Sequence, residues 1–282
     1  MNKKVIIVSD STCDLSPEIL KLYDIKIVPL SVNLGNKIYT DGVDVDPEMI
    51  YQHYETNCEL PKTSAPSMMD FHDLYQKYTD EGRAVVTFTI SSQMSSTYNN
   101  ARLAASEFED VYVVDTQNLS TGGGLLVVKA ARLAAMGISA KEIANTCAAL
   151  VPKVDASFVV DDLEFLHKGG RCSAVAAFGA NLLQLKPCIT VNNGKMGVGK
   201  KYRGKFALVL QKYVADRIGN GSEVCTDCVF VTHAGCEETI ISQCVTQVKE
   251  LLPAATVIVT RAGCTISSHC GRNTLGVLFI RK

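Results

Sequence analysis

The 282-residue chain has no block of basic residues and a formal net charge of −1, so it lacks the electrostatic footprint of a nucleic-acid-binding protein. It has no apolar run approaching the roughly 20 residues that span a bilayer. The opening "MNKKVIIVSDST" carries two lysines and a short apolar run but no small-residue cleavage site, and reads as a buried first strand. A cytoplasmic protein is expected. Internal repeats and low-complexity linkers are missing too. Three catalytic signatures are also absent: the nucleophile elbow G-x-S-x-G, the Walker lysine, and a G-x-G-x-x-G with an acidic partner downstream.

What is present suits a soluble globular protein with a sizeable core: 47% hydrophobic and 20% charged residues over a length that favours two domains. The first half alternates continuous apolar strands ("KVIIVSD", "IKIVPLSV", "RAVVTFTI", "DVYVVD") with helices such as "SPEILKLY", which Ser16 caps and Pro17 opens. That alternation predicts a mainly parallel sheet sandwiched by helices over 1–155. The second half, 156–282, mixes strands, helices and a hairpin around Asn193-Gly194, and reads as a C-terminal α+β domain. The overall fold class is α/β, and "AVAAFGANLLQL" is expected to be a small-residue helix.

Eleven cysteines are many for such a chain, and without an export signal they are expected as reduced thiols. "CTDCVFVTHAGC" places Cys225, Cys228, His233 and Cys236 within twelve residues, a spacing that resembles a zinc knuckle. Read as a buried strand, however, the stretch points Cys228 and His233 to opposite sides. No metal site is expected.

Ligands of open α/β sheets sit beyond the carboxyl ends of the strands. There the chain places Asp10-Ser11-Thr12, the cluster "SSQMSST" (Ser91, Ser92, Ser95, Ser96 and Thr97 among seven residues), Asp115-Thr116, His233, and "SSHCG" with His269. Capping the helix that begins at Thr97 accounts for one hydroxyl, not five. Ser95 or Ser92 with His269 and Asp10 could form a hydrolase triad, so a serine esterase using Ser95 and His269 is the alternative function. "STGGGLL" could cradle an anion or simply pack a helix start closely against a strand. "KGGR" leaves Lys168 and Arg171 as a solvated turn or an anion clamp.

The ordered stretches "SDSTCDLS", "VPLSV", "YTDGVDV", "KTSAPS", "ISSQMSSTY", "LEFLHKGGR", "LLQLKP", "THAG" and "SSHCG…LGV" resemble the DegV family of bacterial fatty-acid-binding proteins. The resemblance runs from about residue 5 to the end of the chain. It implies two α/β domains with an acyl chain buried in a tunnel between them, and no cofactor beyond that lipid. The carboxyl would be held by Thr63 in "KTSAPS" and Ser95 in "SSQMSST", with His269 alongside. Arg203, and by position Arg171, would serve phosphate transfer or a partner. That partner would be a separate kinase that phosphorylates the bound fatty acid, the chain itself being a non-catalytic subunit. Gln93 and Ser96 stand where relatives keep glycine, which implies a shifted loop if either site needs positive φ, and Arg272 is expected to bring a new charge near the site.

Overall fold

The computed structural model describes residues 3–173 and 185–282; the expected helix over "AVAAFGANLLQL" falls outside them except for its last residue. Strands β1 (Val5–Asp10), β2 (Lys26–Val28), β6 (Ala84–Thr89) and β7 (Val111–Asp115) form a parallel sheet in the order β2-β1-β6-β7. All six residues of β6 are buried, as expected where helices cover both faces. From β1 the chain moves outward to β2, and from β6 outward the other way to β7. The crevice opened by that divergence lies beyond Asp10 and Thr89.

The stretch "IKIVPLSV" is two strands and not one. Pro29 has no N–H to extend the parallel ladder, so β2 ends at Val28. Ser31–Leu34 (β3) instead joins a small antiparallel sheet with β4 (Lys37–Thr40) and β5 (Lys62–Ser64), ordered β4-β3-β5. This sheet reappears in the site below.

A third sheet, ordered β10-β9-β8-β13-β11-β12, is built from β8 (Val154–Val160), β9 (Leu185–Asn192), β10 (Lys195–Arg203), β11 (Val224–Ala234), β12 (Val257–Arg261) and β13 (Thr274–Arg281). Its pairs are antiparallel except β11 with β12. The β9–β10 turn is the Asn193-Gly194 pair, both at positive φ as a two-residue hairpin requires.

Helices α3 (Met68–Asp80) and α4 (Thr97–Ala105) cover one face of the parallel sheet; α5 (Thr121–Ala135) and α6 (Ala140–Leu150) cover the other. The α5–α6 core also takes in Ala156, Phe158, Phe230 and Leu278 of the six-stranded sheet. Helices α8 (Phe206–Ile218) and α9 (Glu238–Leu251) close that sheet's far face. The layers therefore run helix, sheet, helix, sheet, helix, with α5 and α6 shared between the two sheets. Short helices α1 (Pro17–Leu22), α2 (Pro47–Asn57), α7 (Glu164–Gly169) and α10 (Cys264–Cys270) complete the described α-helices. Among the described residues no helix is long and apolar enough to cross a membrane.

The glycine run that opens α5 is a packing device. A Cβ on Gly122 would lie 3.1 Å from Ala156 Cβ, and one on Gly124 only 2.7 Å from the Cys13 carbonyl oxygen. Backbone cannot yield as a flexible side chain can. Gly124→Ala is expected to destabilise the protein by about 1–3 kcal/mol, the range for overpacking. Urea unfolding would show it as a lowered midpoint; an unchanged midpoint would mean that α5 can slide.

Candidate functional site

A cavity of about 640 Å³ opens beyond the carboxyl ends of the parallel sheet, with α10 along one side. Its polar wall holds Thr63, Ser64, Ser95, Ser96, Thr265 and His269, and its apolar wall Leu30, Ile90, Met94, Leu119, Met196 and Ile266. They come from six parts of the fold. Thr63 sits on β5, Leu30 follows β2, Ser95 precedes α4, Leu119 precedes α5, Met196 lies on the β9–β10 hairpin, and Ile266 and His269 ride on α10. Leu119, Ile266 and Cys270 also line a second void of about 20 Å³. That void is apolar and runs inward over Phe158, Gly276 and Leu278 of the six-stranded sheet.

The five hydroxyls of the strand-end cluster divide their work. Ser91 is buried and donates to the Gly194 carbonyl at 2.7 Å, fastening the hairpin tip to the loop. The Ser92 N–H donates to Asp115, closing the loop onto β7. Ser95 Oγ accepts the Thr97 N–H at 3.3 Å and lies 2.8 Å from Thr97 Oγ1, so it caps α4 while still facing the cavity. Ser96, at the cap position itself, makes no capping bond and lines the cavity. Asn100 Nδ2 donates to the Pro66 carbonyl at 2.7 Å, tying α4 to the "KTSAPS" segment that carries Thr63.

Thr63 Oγ1 and His269 Nε2, separated by 206 positions in sequence, are 2.9 Å apart. His269 Nδ1 is buried with no hydrogen-bond partner among the described residues. Burial, and secondly the Arg171 guanidinium, hold the ring's pKa down from 6.5 to about 4, so the imidazole is neutral at pH 7. Arg171 is exposed, lines the cavity and donates to the Gly169 carbonyl at 2.8 Å.

Thr63, Ser95, His269 and Arg171 thus meet at one cavity, and Arg203 does not. Arg203 ends β10 on the exposed surface, away from the cavity lining. The serine-esterase arrangement is not assembled. Ser95 bonds Thr97, His269 Nε2 faces Thr63, and Asp10 accepts from the Thr12 hydroxyl and from the Thr12 and Ile90 N–H groups. Among the described residues no carboxylate bonds the His269 ring and no base bonds Ser95. Arg272 also departs from expectation. Its guanidinium stacks 4.3 Å from the Tyr51 ring centroid and pairs with Glu48, turned away from the cavity. Neither Gln93 nor Ser96 adopts positive φ, so the loop needs no glycine at either position. Among the described residues no group of His, Cys, Asp and Glu is placed to hold a metal ion, the "CTDCVFVTHAGC" stretch included.

Sequence reasoning left Thr265, Ile266, Asp14 and Asp41 without a role. The signal for the first two was available, since Gly263 and Gly271 bracket a seven-residue segment that folds as α10. Asp10, Asp14 and Asp41 are all buried behind the cavity. Burial pushes Asp10 up to about 6 and Asp14 up to about 8, against the pull of their hydrogen bonds.

The sequence pattern of the family described as "Uncharacterised protein, DegV family" matches residues 4–282. The chain belongs to the DegV family. A DegV domain-containing protein of Clostridium acetobutylicum is 34% identical to it over 99% of both chains, and one from Caldanaerobacter subterraneus 30% identical over 99% of this chain and 100% of its own. Among solved structures, a fatty-acid-binding DegV-family protein of Thermus thermophilus superimposes with a TM-score of 0.87 at 30% identity, covering both chains completely. A stearic-acid-binding protein of Eubacterium ventriosum gives 0.85 at 30% identity, over 100% of this chain and 99% of its own. DegV of Bacillus subtilis, described as a fatty-acid-binding protein, gives 0.85 at 26% identity, over 99% of this chain and 100% of its own.

Proposed function

We propose that this DegV-family chain binds a long-chain fatty acid between its halves, 1–155 and 156–282, with the carboxyl at Thr63 and Ser95 and the tail in the apolar interior. The observation that carries the reading is the hydrogen-bonded pair Thr63–His269 facing a cavity that Ser95 shares and that abuts an apolar void across Leu119, Ile266 and Cys270. A carboxyl group entering an apolar space must keep its hydrogen bonds, because burying it unpaired is costly. Hydroxyls satisfy it without placing a permanent charge beside the acyl chain. Each buried methylene adds about 0.8 kcal/mol, so the tail supplies affinity and the headgroup orientation.

Which proton is used depends on the tautomer of the neutral imidazole, and the reading takes the one protonated at Nε2. With Nε2–H donating to Thr63 Oγ1, the threonine's own proton is free to donate to the carboxylate; the other tautomer would consume it. His269 then works through Thr63. Arg171 at the cavity mouth suits the next step, in which a separate kinase transfers a phosphoryl group onto the carboxylate oxygen to give an acyl phosphate. In this reading Arg203, exposed on β10, meets the partner and not the lipid. The chain itself acts in the cytoplasm as a carrier, with no cofactor of its own.

Mass spectrometry of lipid released from denatured, purified protein should find a C14–C18 fatty acid at close to one per chain, an order-of-magnitude expectation for a tight apolar site. Protein that carries no lipid and binds none when offered would rule the reading out. Ser95→Ala and Thr63→Val each remove a hydrogen bond to a charged group, worth about 1.5–3 kcal/mol. Each is expected to weaken palmitate binding by roughly 10- to 100-fold. Wild-type affinity in both would move the carboxyl elsewhere.

A further inference from the structure

We propose that Asp41 is a positioning residue of the carboxyl site, acting through helix α10; this rests on the reading of Thr63, Ser95 and His269 given above. Asp41 stands just past β4, is 4% exposed, and does not itself line the cavity. Its two oxygens accept four hydrogen bonds. Oδ1 takes the Cys264 N–H at 2.9 Å; Oδ2 takes the Thr265 N–H at 3.2 Å, the Thr265 hydroxyl at 2.6 Å and the Ser11 hydroxyl at 2.9 Å. Ser11 Oγ in turn accepts the N–H of Leu30, a cavity residue, and the Asp41 N–H donates to the Leu30 carbonyl.

The two backbone bonds fix the height of α10, and the Thr265 hydroxyl fixes its rotation. Thr265 and His269 are four positions apart and so lie on one helix face, one turn from each other. Holding Thr265 therefore aims His269. The far end of α10 is held by the same small sheet, because β5 carries Thr63 to His269 while β4 leads into Asp41. The contacts close a ring through Asp41, the start of α10, His269, Thr63 and the β5-β3-β4 sheet. Asp14 accepts the Gly263 N–H at 2.8 Å from the other side. With Asp41 altered, Asp14 still tethers the helix, so what is lost is aim and not attachment.

The test uses the full chain with Asp41→Asn, Thr265→Val and Thr265→Ser, read against palmitate and 1-hexadecanol. Palmitate affinity is expected to fall about tenfold in Asp41→Asn and Thr265→Val, the low end of what losing an outer orienting partner costs at metal sites. Hexadecanol affinity should stay within about twofold, since tail burial alone holds it. Thr265→Ser, which keeps the hydroxyl, should recover most of the palmitate affinity that Thr265→Val loses. The carboxyl resonance of bound [1-13C]palmitate and the ring 15N shifts of His269 in lipid-free protein should both move in Asp41→Asn. An unchanged palmitate-to-hexadecanol ratio with unmoved resonances in folded Asp41→Asn or Thr265→Val would reduce Asp41 to a structural residue. Wild-type protein that ignores palmitate would overturn the carboxyl site itself, and the His269 15N shifts would still judge whether Asp41 aims the ring.

Discussion

Replacing Ala234 with leucine is expected to turn the protein against long acyl chains while leaving short ones bound. The polar groups of the cavity sit at Thr63, Ser95 and His269, so a tail directed away from them passes Leu119, Ile266 and Cys270 into the inner void. One wall of that void is a face of the six-stranded sheet: Phe158 from β8, Gly276 and Leu278 from β13, Thr232 and Ala234 from β11. Alternation along β11 puts Thr232 and Ala234 on that same face. Thr232 is engaged on both sides, 2.5 Å from Thr121 Oγ1 and 2.9 Å from Thr260 Oγ1, which leaves Ala234 as the small residue that β11 presents to the void. A leucine there fills the void from the strand side. Each methylene excluded from that void forfeits about 0.8 kcal/mol, roughly fourfold in affinity for a C18 acid. An acid too short to reach the void should bind as before. Dissociation constants across C10 to C18 acids decide the matter; a uniform loss at every length, or none, would mean that the tail leaves by another route.

The layers and the inner face of the site were legible in the sequence to different degrees, for physical reasons. Parallel strands buried on both faces read as unbroken apolar runs, and Ser16 and the Asn193-Gly194 pair announce their cap and turn through local chemistry. The small β4-β3-β5 sheet gave no such signal. Its strands are three or four residues long and half exposed, too short for an alternation to register. Thr63 sits on one of them, so only the family resemblance pointed to it. Helix α10 was hidden for a different reason. "CTISSHC" consists largely of weak helix formers, and its seven residues are far below the length at which a helix stands alone. Asp41 and Asp14 hold it from outside, and no local pattern shows a helix capped by residues more than two hundred positions away. Arg272 shows the same limit in reverse. Adjacency to His269 suggested a charge in the site, but Gly271, at φ +73°, turns the chain and sends the side chain to Tyr51 and Glu48.

Acid should expose the neutrality of His269 directly. The ring's pKa is held at about 4 in the folded protein against an ordinary 6.5, by burial first and by Arg171 second. Between those values the unfolded chain binds a proton that the folded one refuses. The contribution to stability is therefore complete above pH 6.5 and is lost as pH falls from 6.5 to 4, amounting to about 3 kcal/mol. Asp10 and Asp14, both pushed upward by burial, bend the stability curve the opposite way, so the comparison must be with a variant that leaves them alone. His269→Gln does so: its amide can still donate to Thr63 but does not titrate. Urea unfolding at pH 7, 5.5 and 4 should show wild type losing about 3 kcal/mol relative to the variant across that interval. A bound carboxylate at Thr63 would favour the imidazolium, so palmitate-loaded wild type should lose less than lipid-free protein. Parallel pH curves for wild type and His269→Gln would mean that the ring is already solvated and charged, in which case Thr63 is not oriented by a neutral histidine.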